Sequence, residues 1–195
     1  MKHFSVLFFI AAVFAFSSCE SQDDKFVIKG TTTQSRLNGE RVFLVPFGGK
    51  EIEDSIGVDS VVVKDNKFEF TGHGEYMARI TMDKRVRYGT QDLLIVTEGG
   101  GVVEVVIDSV SHGGGTPQNE ALEQWKNIKI MHDQIAGPQV VRLVNMRRAG
   151  DSINAEPLAD SLKVFNEQFK SQVLDIIKVL GKGTVYDFLY ERYGK

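Results

Sequence analysis

One thiol stands in this chain of 195 residues, at Cys19. A single Cys cannot form an intramolecular disulfide, a two-thiol metal site or a redox Cys-x-x-Cys pair, so counting alone excludes three common chemistries. The four histidines, at 3, 73, 112 and 132, are too scattered to hold zinc, with no His-x-x-x-His and no His-Glu pairing on a helix. His73 between Gly72 and Gly74 reads as a turn residue. His112, beside three glycines, reads either as part of a ligand-contacting loop or as a solvated hinge. Gly181-Lys182-Gly183-Thr184 lacks the Gly-Lys-Ser/Thr order of a P-loop, and Gly99-Gly100-Gly101 has strands on both sides where a dinucleotide fingerprint needs a helix. No Gly-x-Ser-x-Gly elbow anchors a hydrolase. Asp83-Lys84-Arg85-Val86-Arg87-Tyr88 is the one concentrated basic stretch of the first half. Lys84, Arg85 and Arg87 with Tyr88 have the chemistry to contact an anionic ligand or a sugar acid, and the alternative is a solvated loop. These residues assign no catalytic group, no metal ligand and no cofactor. Lys and Arg number 23 against 26 Asp and Glu, and the net charge of −3 is spread along the chain. Without clustered cations no nucleic-acid partner is expected.

The setting of Cys19 specifies its chemistry. The chain opens Met1-Lys2-His3, runs apolar from Phe4 to Phe16 with Ser5 interrupting, and reaches Ser17-Ser18-Cys19. That run is shorter than the roughly 20 apolar residues of a spanning helix. Residues 1–18 therefore read as a signal peptide. Phe16-Ser17-Ser18-Cys19 resembles a bacterial lipobox, with Phe where Leu is commoner, which implies that Cys19 is lipidated on sulfur and becomes the mature N-terminus. Such lipoproteins carry three acyl chains, enough for stable anchoring where one is marginal. Residues 19–25 form an acidic tether. Within it Gln22, Asp23 and Asp24 resemble the acidic signal that sends some lipoproteins to the cell surface; a plain solvated linker is the alternative. The expected location is the cell envelope, anchored to the outer membrane on its periplasmic face or at the cell surface.

The elements that must position any site fall into two compositional parts. From 26 to 110 Val, Ile, Phe and Thr recur between turn residues, which predicts antiparallel β structure. The expected strands are Phe26–Thr32, Arg41–Pro46, Ser55–Lys64, Lys67–Gly72, Met77–Met82, Asp92–Thr97 and Val102–Ile107. Phe68 and Phe70 alternate with charges and so share one face. Asp65-Asn66 predicts a hairpin between the third and fourth strands, and Glu98-Gly99-Gly100-Gly101 a second one. Ser111–Thr116 reads as a break, with proteolysis expected first there or in the tether. Thr116 as cap and Pro117 at the first helical position then open a helical region over 116–195. Leu122, Trp125, Ile128 and Ile135 mark a first helix ending at Gly137-Pro138, followed by a shorter segment from Gln139 to Arg148. After Gly150, Leu158, Leu162, Phe165, Phe169, Val173, Ile176 and Leu180 form a heptad-like stripe. That stripe needs the sheet, the first helix or another chain against it. A short last helix carries Val185, Phe188 and Leu189. The fold class is α+β: a small antiparallel β sandwich or barrel followed by three or four helices.

Several of these segments in order carry a family resemblance. They are Phe26-Val27-Ile28-Lys29-Gly30, Gly39-x-x-Val42-Phe43-Leu44, the stretch from Asp54-Ser55 to Lys67-Phe68-Glu69-Phe70, Glu98-Gly99-Gly100, and Gly115-Thr116-Pro117-Gln118-Asn119. Together they resemble the domain of unknown function 4369, an N-terminal module of lipoproteins in certain Gram-negative bacteria, over about residues 25–125. In longer relatives the resemblance implies a following thioredoxin-like domain that exchanges thiols and disulfides through Cys-x-x-Cys. The present sequence stops at Lys195, where such a domain would begin, without a second Cys, so that activity carries over to no residue here. The expected function is a lipid-anchored, non-enzymatic envelope module that binds a protein or ligand, with membrane contact through Cys19. The alternative is an accessory domain of a thiol:disulfide redox system acting through a partner.

Overall fold

The computed structural model describes residues 24–47 and 57–195. Eight strands precede three helices: β1 (Lys25–Thr31), β2 (Arg41–Pro46), β3 (Asp59–Val62), β4 (Lys67–His73), β5 (Met77–Met82), β6 (Leu93–Val96), β7 (Val102–Val106) and β8 (His112–Gly114), then α1 (Pro117–Arg148), α2 (Ser152–Leu180) and α3 (Thr184–Tyr193). The strands form two four-stranded sheets, ordered β4-β1-β7-β8 and β3-β2-β5-β6. All pairings are antiparallel except β1 with β7. The fold is α+β.

Period-two burial makes the sandwich. Phe26 and Ile28 of β1 and Phe68 and Phe70 of β4 point inward to meet Val42, Leu44, Ile80, Leu93 and Ile95 from the other sheet. Gly30 lies opposite Phe68 and Gly72 opposite Phe26 in the β1–β4 register. Each ring fills the space above the facing glycine: a Cβ at Gly30 would stand 1.9 Å from the Phe68 ring, and one at Gly72 2.4 Å from Phe26. The two inner faces close because small and large residues alternate across the strands.

Both expected hairpins turn out to be corners between the sheets. Asp65 and Asn66 adopt positive φ, 50° and 62°, and Lys64 and Lys67 exchange backbone hydrogen bonds as a two-residue turn requires. The flanking strands nevertheless part, β3 to β2 and β4 to β1. The Glu98–Gly101 turn likewise carries the chain from β6 in one sheet to β7 in the other. The reason is burial on both faces of β6. Leu93 and Ile95 fill the sandwich while Val96, and Leu94 in part, face the helices, so no simple in/out alternation fixes its partner.

The expected break at Ser111–Thr116 is instead a paired edge strand, β8 on β7. Its side-chain-free residues let α1 lie against it, since a Cβ on Gly114 would stand 2.5 Å from Glu120. Ser111 is buried, with its hydroxyl donating to the Gln91 carbonyl at 2.6 Å. Strand pairing thus runs past residue 110, and cleavage there is not expected.

The helix expected to end at Gly137-Pro138 continues through Pro138 to Arg148. Proline removes one backbone bond and crowds the preceding turn. The neighbouring antiparallel helix restrains both halves: Ala136 is buried on α1, as are Ala155 and Leu162 on α2. Three α-helices are present among the described residues. The stripe on α2 splits by height. Phe169, Val173, Ile176 and Leu180 join a second core with Met77 and Val96 of the sheet and Leu122, Val185 and Leu189 of the helices. No apolar side chain between Lys129 and Gln168 belongs to either core. With α1 about 48 Å long and α2 about 44 Å, that stretch is a two-helix arm extending from the body.

Candidate functional site

The basic stretch singled out from sequence lies between β5 and β6. Lys84 is exposed, and Tyr88 is 94% exposed. Its arginines are turned to carboxylates, Arg85 to Asp83 at 3.1 Å and Arg87 to Asp92 at 3.6 Å, with Arg79 also 3.9 Å from Asp92. Backbone and side-chain hydrogen bonds from Arg85 hold the Asp83 carboxyl below its ordinary range. Both arginines thus have carboxylate neighbours, while Lys84 and Tyr88 face solvent. The loop is held from behind by residues the sequence did not single out. Arg36, just after β1, donates to the carbonyls of Val86 at 3.1 Å and Tyr88 at 2.7 Å. Gln34 donates to the carbonyl of Gly89 at 2.9 Å and to Asp108 at 2.6 Å. Asp108 also accepts from the Thr33 hydroxyl, and these bonds, Thr33 first and Gln34 next, hold its carboxyl at about 2.

The histidines separate. His112 sits exposed on β8 above a trough of about 760 Å³ that includes Glu104, Glu120 and Glu123. Two of those acids are already used to dock α1. Glu120 accepts from the Gly115 amide at 2.9 Å, and Glu123 accepts from the Gly113 amide at 3.2 Å and pairs with Lys126 at 2.7 Å. Among the described residues no group of His, Cys, Asp and Glu is arranged to hold a metal ion. His132 stacks on Phe165 with centroids 5.0 Å apart, and its ring nitrogens lie 2.8 Å from Asn166 and 3.1 Å from Asp133. It is a seam residue between α1 and α2. Cys19, Gln22 and Asp23 lie outside the described residues. Asp24 is exposed, and its carbonyl accepts from the Gly74 amide at 2.9 Å.

The polar chemistry concentrates where helices meet sandwich. Asn119, in the first turn of α1, is buried. Its side-chain oxygen accepts from the Val96 amide at 3.0 Å, and its nitrogen donates to the Val96 carbonyl and to the Thr116 hydroxyl, both at 2.9 Å. β6 is the edge strand of its sheet, so the Asn119 amide replaces the peptide group of a missing neighbour strand. Thr116 was expected to cap α1 with its hydroxyl; that oxygen serves Asn119 instead. Gln118 links three segments: its amide donates to Glu98 at 3.1 Å, and its side-chain oxygen accepts from the Val185 amide at 2.9 Å. Glu75 caps α3, accepting from the Thr184 amide at 3.0 Å and hydroxyl at 2.7 Å. Burial pushes the Glu75 carboxyl up, but hydrogen bonds from Gln118 and Thr184 outweigh it and leave the group below its ordinary value.

Glu75, Glu98 and Gln118 line a cleft of about 780 Å³ with Glu120, Gln124 and Lys182. Glu75, Glu98, Gln118 and Glu120 all make bonds that hold these segments together. The arrangement joins the sandwich to α1 and α3. Sequence reading placed Gln118 and Asn119 only at a helix start. Their use as edge cover depends on β6 lying beneath them, which no local pattern encodes.

The remaining surface feature is the arm. Met131, Ile135, Val140, Val141 and Val144 on α1, with Ile153 and Val164 on α2, face solvent. None of the described helices is long and apolar enough to cross a membrane. Comparison with known proteins finds one family: residues 26–122 match the model of the domain of unknown function DUF4369. The matched segment spans both sheets and ends at Leu122, so it takes in the Gln118-Asn119 joint and stops before the arm. No curated protein and no solved structure matches the chain.

Proposed function

We propose that this chain, whose residues 26–122 are a domain of unknown function 4369, is a lipid-anchored envelope protein that works by binding another molecule and not by catalysis. The arm is the observation that carries the reading. A lone helix pair is marginal in water unless an apolar face is covered, and this one keeps Met131, Ile135, Val141 and Val144 exposed over several turns. Met131 with Ile135, and Val141 with Val144, make two exposed apolar pairs on different faces of this projecting element, which supports a contact role. The body stays rigid while the arm engages, because the joint's polar groups already have partners.

Anchoring is supported by the basic start, the apolar run and Ser17-Ser18-Cys19. β1 begins six residues after Cys19, a reach of about 20 Å when fully extended. The body is thereby held close to the outer membrane, and Gln22, Asp23 and Asp24 bear on which face it occupies. A role beside a thiol:disulfide system is compatible only through binding, since thiol exchange needs a resolving thiol that this sequence lacks.

Two measurements test the reading. Mass spectrometry of the purified N-terminus should find acylated Cys19, and Cys19→Ala should leave the membrane fraction; an unmodified thiol on a membrane-free protein refutes anchoring. A photo-crosslinking residue at Met131 or Val144 in growing cells should capture a discrete partner, while the same probe at Lys64 on the sandwich turn should not. Capture of a thioredoxin-like protein would assign the redox setting. Equal labelling from the arm and from Lys64, or none from either, refutes binding by the arm.

A further inference from the structure

We propose that the arm carries a hinge at Gly137-Pro138, about which its outer part bends while its base stays fixed on the body. Gly and Pro are the two poorest helix formers, and they stand side by side inside α1. Packing calls for neither. Both are exposed, and a Cβ at Gly137 would meet nothing of α2 or the body within 4 Å. Pro138 has no N–H to offer the Gln134 carbonyl, and its ring crowds that carbonyl. The backbone ladder of α1 is therefore interrupted at an unpacked position, which is where helices kink.

The partner helix is softened at the same height. His132 lies 2.8 Å from Asn166 across the antiparallel seam, and counting outward from there sets Gly137 level with Ser161 and Val141 level with Pro157. Pro157 stands inside α2 and leaves the Ile153 carbonyl without its helical donor. The Ser161 hydroxyl donates back to the Pro157 carbonyl at 2.9 Å, a bond that destabilises helices slightly and bends them. A soft point in one helix of a pair is splinted by the other; here both yield together. At this height Val140, Leu143 and Ala159 line a groove of about 450 Å³, which leaves the two helices room to shift. The segments on either side are packed. Below, the His132 ring packs on Phe165 and Phe169 with centroids 5.0 and 4.4 Å away, and Ala136 and Leu162 are buried. Above, Ala155 is fully buried, with Leu143 and Met146 half-buried. Two firm segments flanking a few yielding residues make a hinge. Pro138 to Arg148 is about 15 Å of helix, so a change in bend of about 20° carries the tip sideways by about 5 Å. The hinge does not depend on what the arm binds.

The test is a set of distance distributions measured by double electron–electron resonance on the full chain. Spin-labelled non-natural residues replace Lys64 on the body and either Gln134 below the hinge or Arg148 above it, all exposed positions. The Lys64–Arg148 distribution should be broader than the Lys64–Gln134 one by about 5 Å, the sweep expected of the tip. Gly137→Ala combined with Pro138→Ala returns an N–H to the Gln134 carbonyl and should remove about half or more of that excess width. The same double substitution should slow amide exchange at Val141 and Arg142 at least about tenfold, because Ala is the best helix former. Equal widths for the two pairs in the parent chain overturn the hinge: if both are narrow the arm is stiff, and if both are broad it swings from its base. A double substitution that leaves either the width or the exchange unchanged overturns the placement at Gly137-Pro138.

Discussion

Replacing Asn119 by Ala should detach α1 from the edge of the sandwich, and the size of the effect follows from the bonds removed. The side chain is buried and makes three hydrogen bonds, two of them to the backbone of Val96. Alanine leaves the Val96 amide and carbonyl without partners beneath the helix. An unsatisfied buried polar group is worth about 1–3 kcal/mol. With two orphaned groups and some relief by local shift, the expected loss is about 3 kcal/mol, against a typical total stability of about 5–15 kcal/mol. For a chain of this size that lowers the melting temperature by roughly 6–12 °C. The chain has one Trp, at position 125 in the second core against Phe188. Its fluorescence during denaturant unfolding reports on the joint directly. Amide exchange at Val96 should accelerate before global unfolding, because edge cover is lost locally first. Asn119→Asp should be about as damaging, since the carboxylate keeps the acceptor but sets a negative charge against the Val96 carbonyl. Asn127→Ala, on an exposed position of the same helix, should change stability by less than about 0.5 kcal/mol. An Asn119→Ala protein within that same margin of the parent would refute the edge-cover account.

Two further outcomes follow from the sandwich. Gly30→Ala should lower stability by about 1–3 kcal/mol in chemical denaturation, because its Cβ would stand 1.9 Å from the Phe68 ring and overpacking must displace that ring; an unchanged midpoint would show that the ring moves freely. The Asp108 carboxyl, held at about 2 by Thr33 and Gln34 against an ordinary 3.8, is depressed in the fold. Its contribution is therefore complete above about pH 4 and disappears as pH falls through the folded value. Carbon-detected titration should place its midpoint near 2, with exchange at the Thr33 amide quickening over the same window; a midpoint at the ordinary value would remove the link between Asp108 and the loop around Gly89.

Local patterns carried much of this protein. Alternation in Lys67-Phe68-Glu69-Phe70 was enough to put both rings in the core, because a strand has a fixed period of two. Asp65-Asn66 gave the turn, since these residues tolerate positive φ. The spacing from Leu158 to Leu180 gave one long helix with a single apolar face. The α+β class and the domain of unknown function 4369 could both be read before any coordinate, the latter from the order of weak motifs.

What remained hidden depended on contacts between segments far apart in sequence. A turn fixes the path of four residues but not the sheet that receives the next strand, so Asp65-Asn66 and Glu98–Gly101 looked like hairpins when they are corners. At Glu98–Gly101, burial of β6 on both faces left its partner open to the tertiary structure. Pro138 marks a helix end by its own chemistry, and only the α2 surface beside it overrode the signal. Gln118 and Asn119 offered the sequence a helix start and nothing more; their task arose when folding brought β6, Glu98 and Val185 beneath them. The anchor proposed at Cys19, by contrast, is argued from the residues immediately before it and draws nothing from the fold. The arm reverses that division. Its apolar spacing was visible from the start, but only the tertiary structure determined that the lower half of the stripe fills a core while the stretch above Ile128 stands clear of it, because α1 and α2 outrun the sandwich on which they are seated.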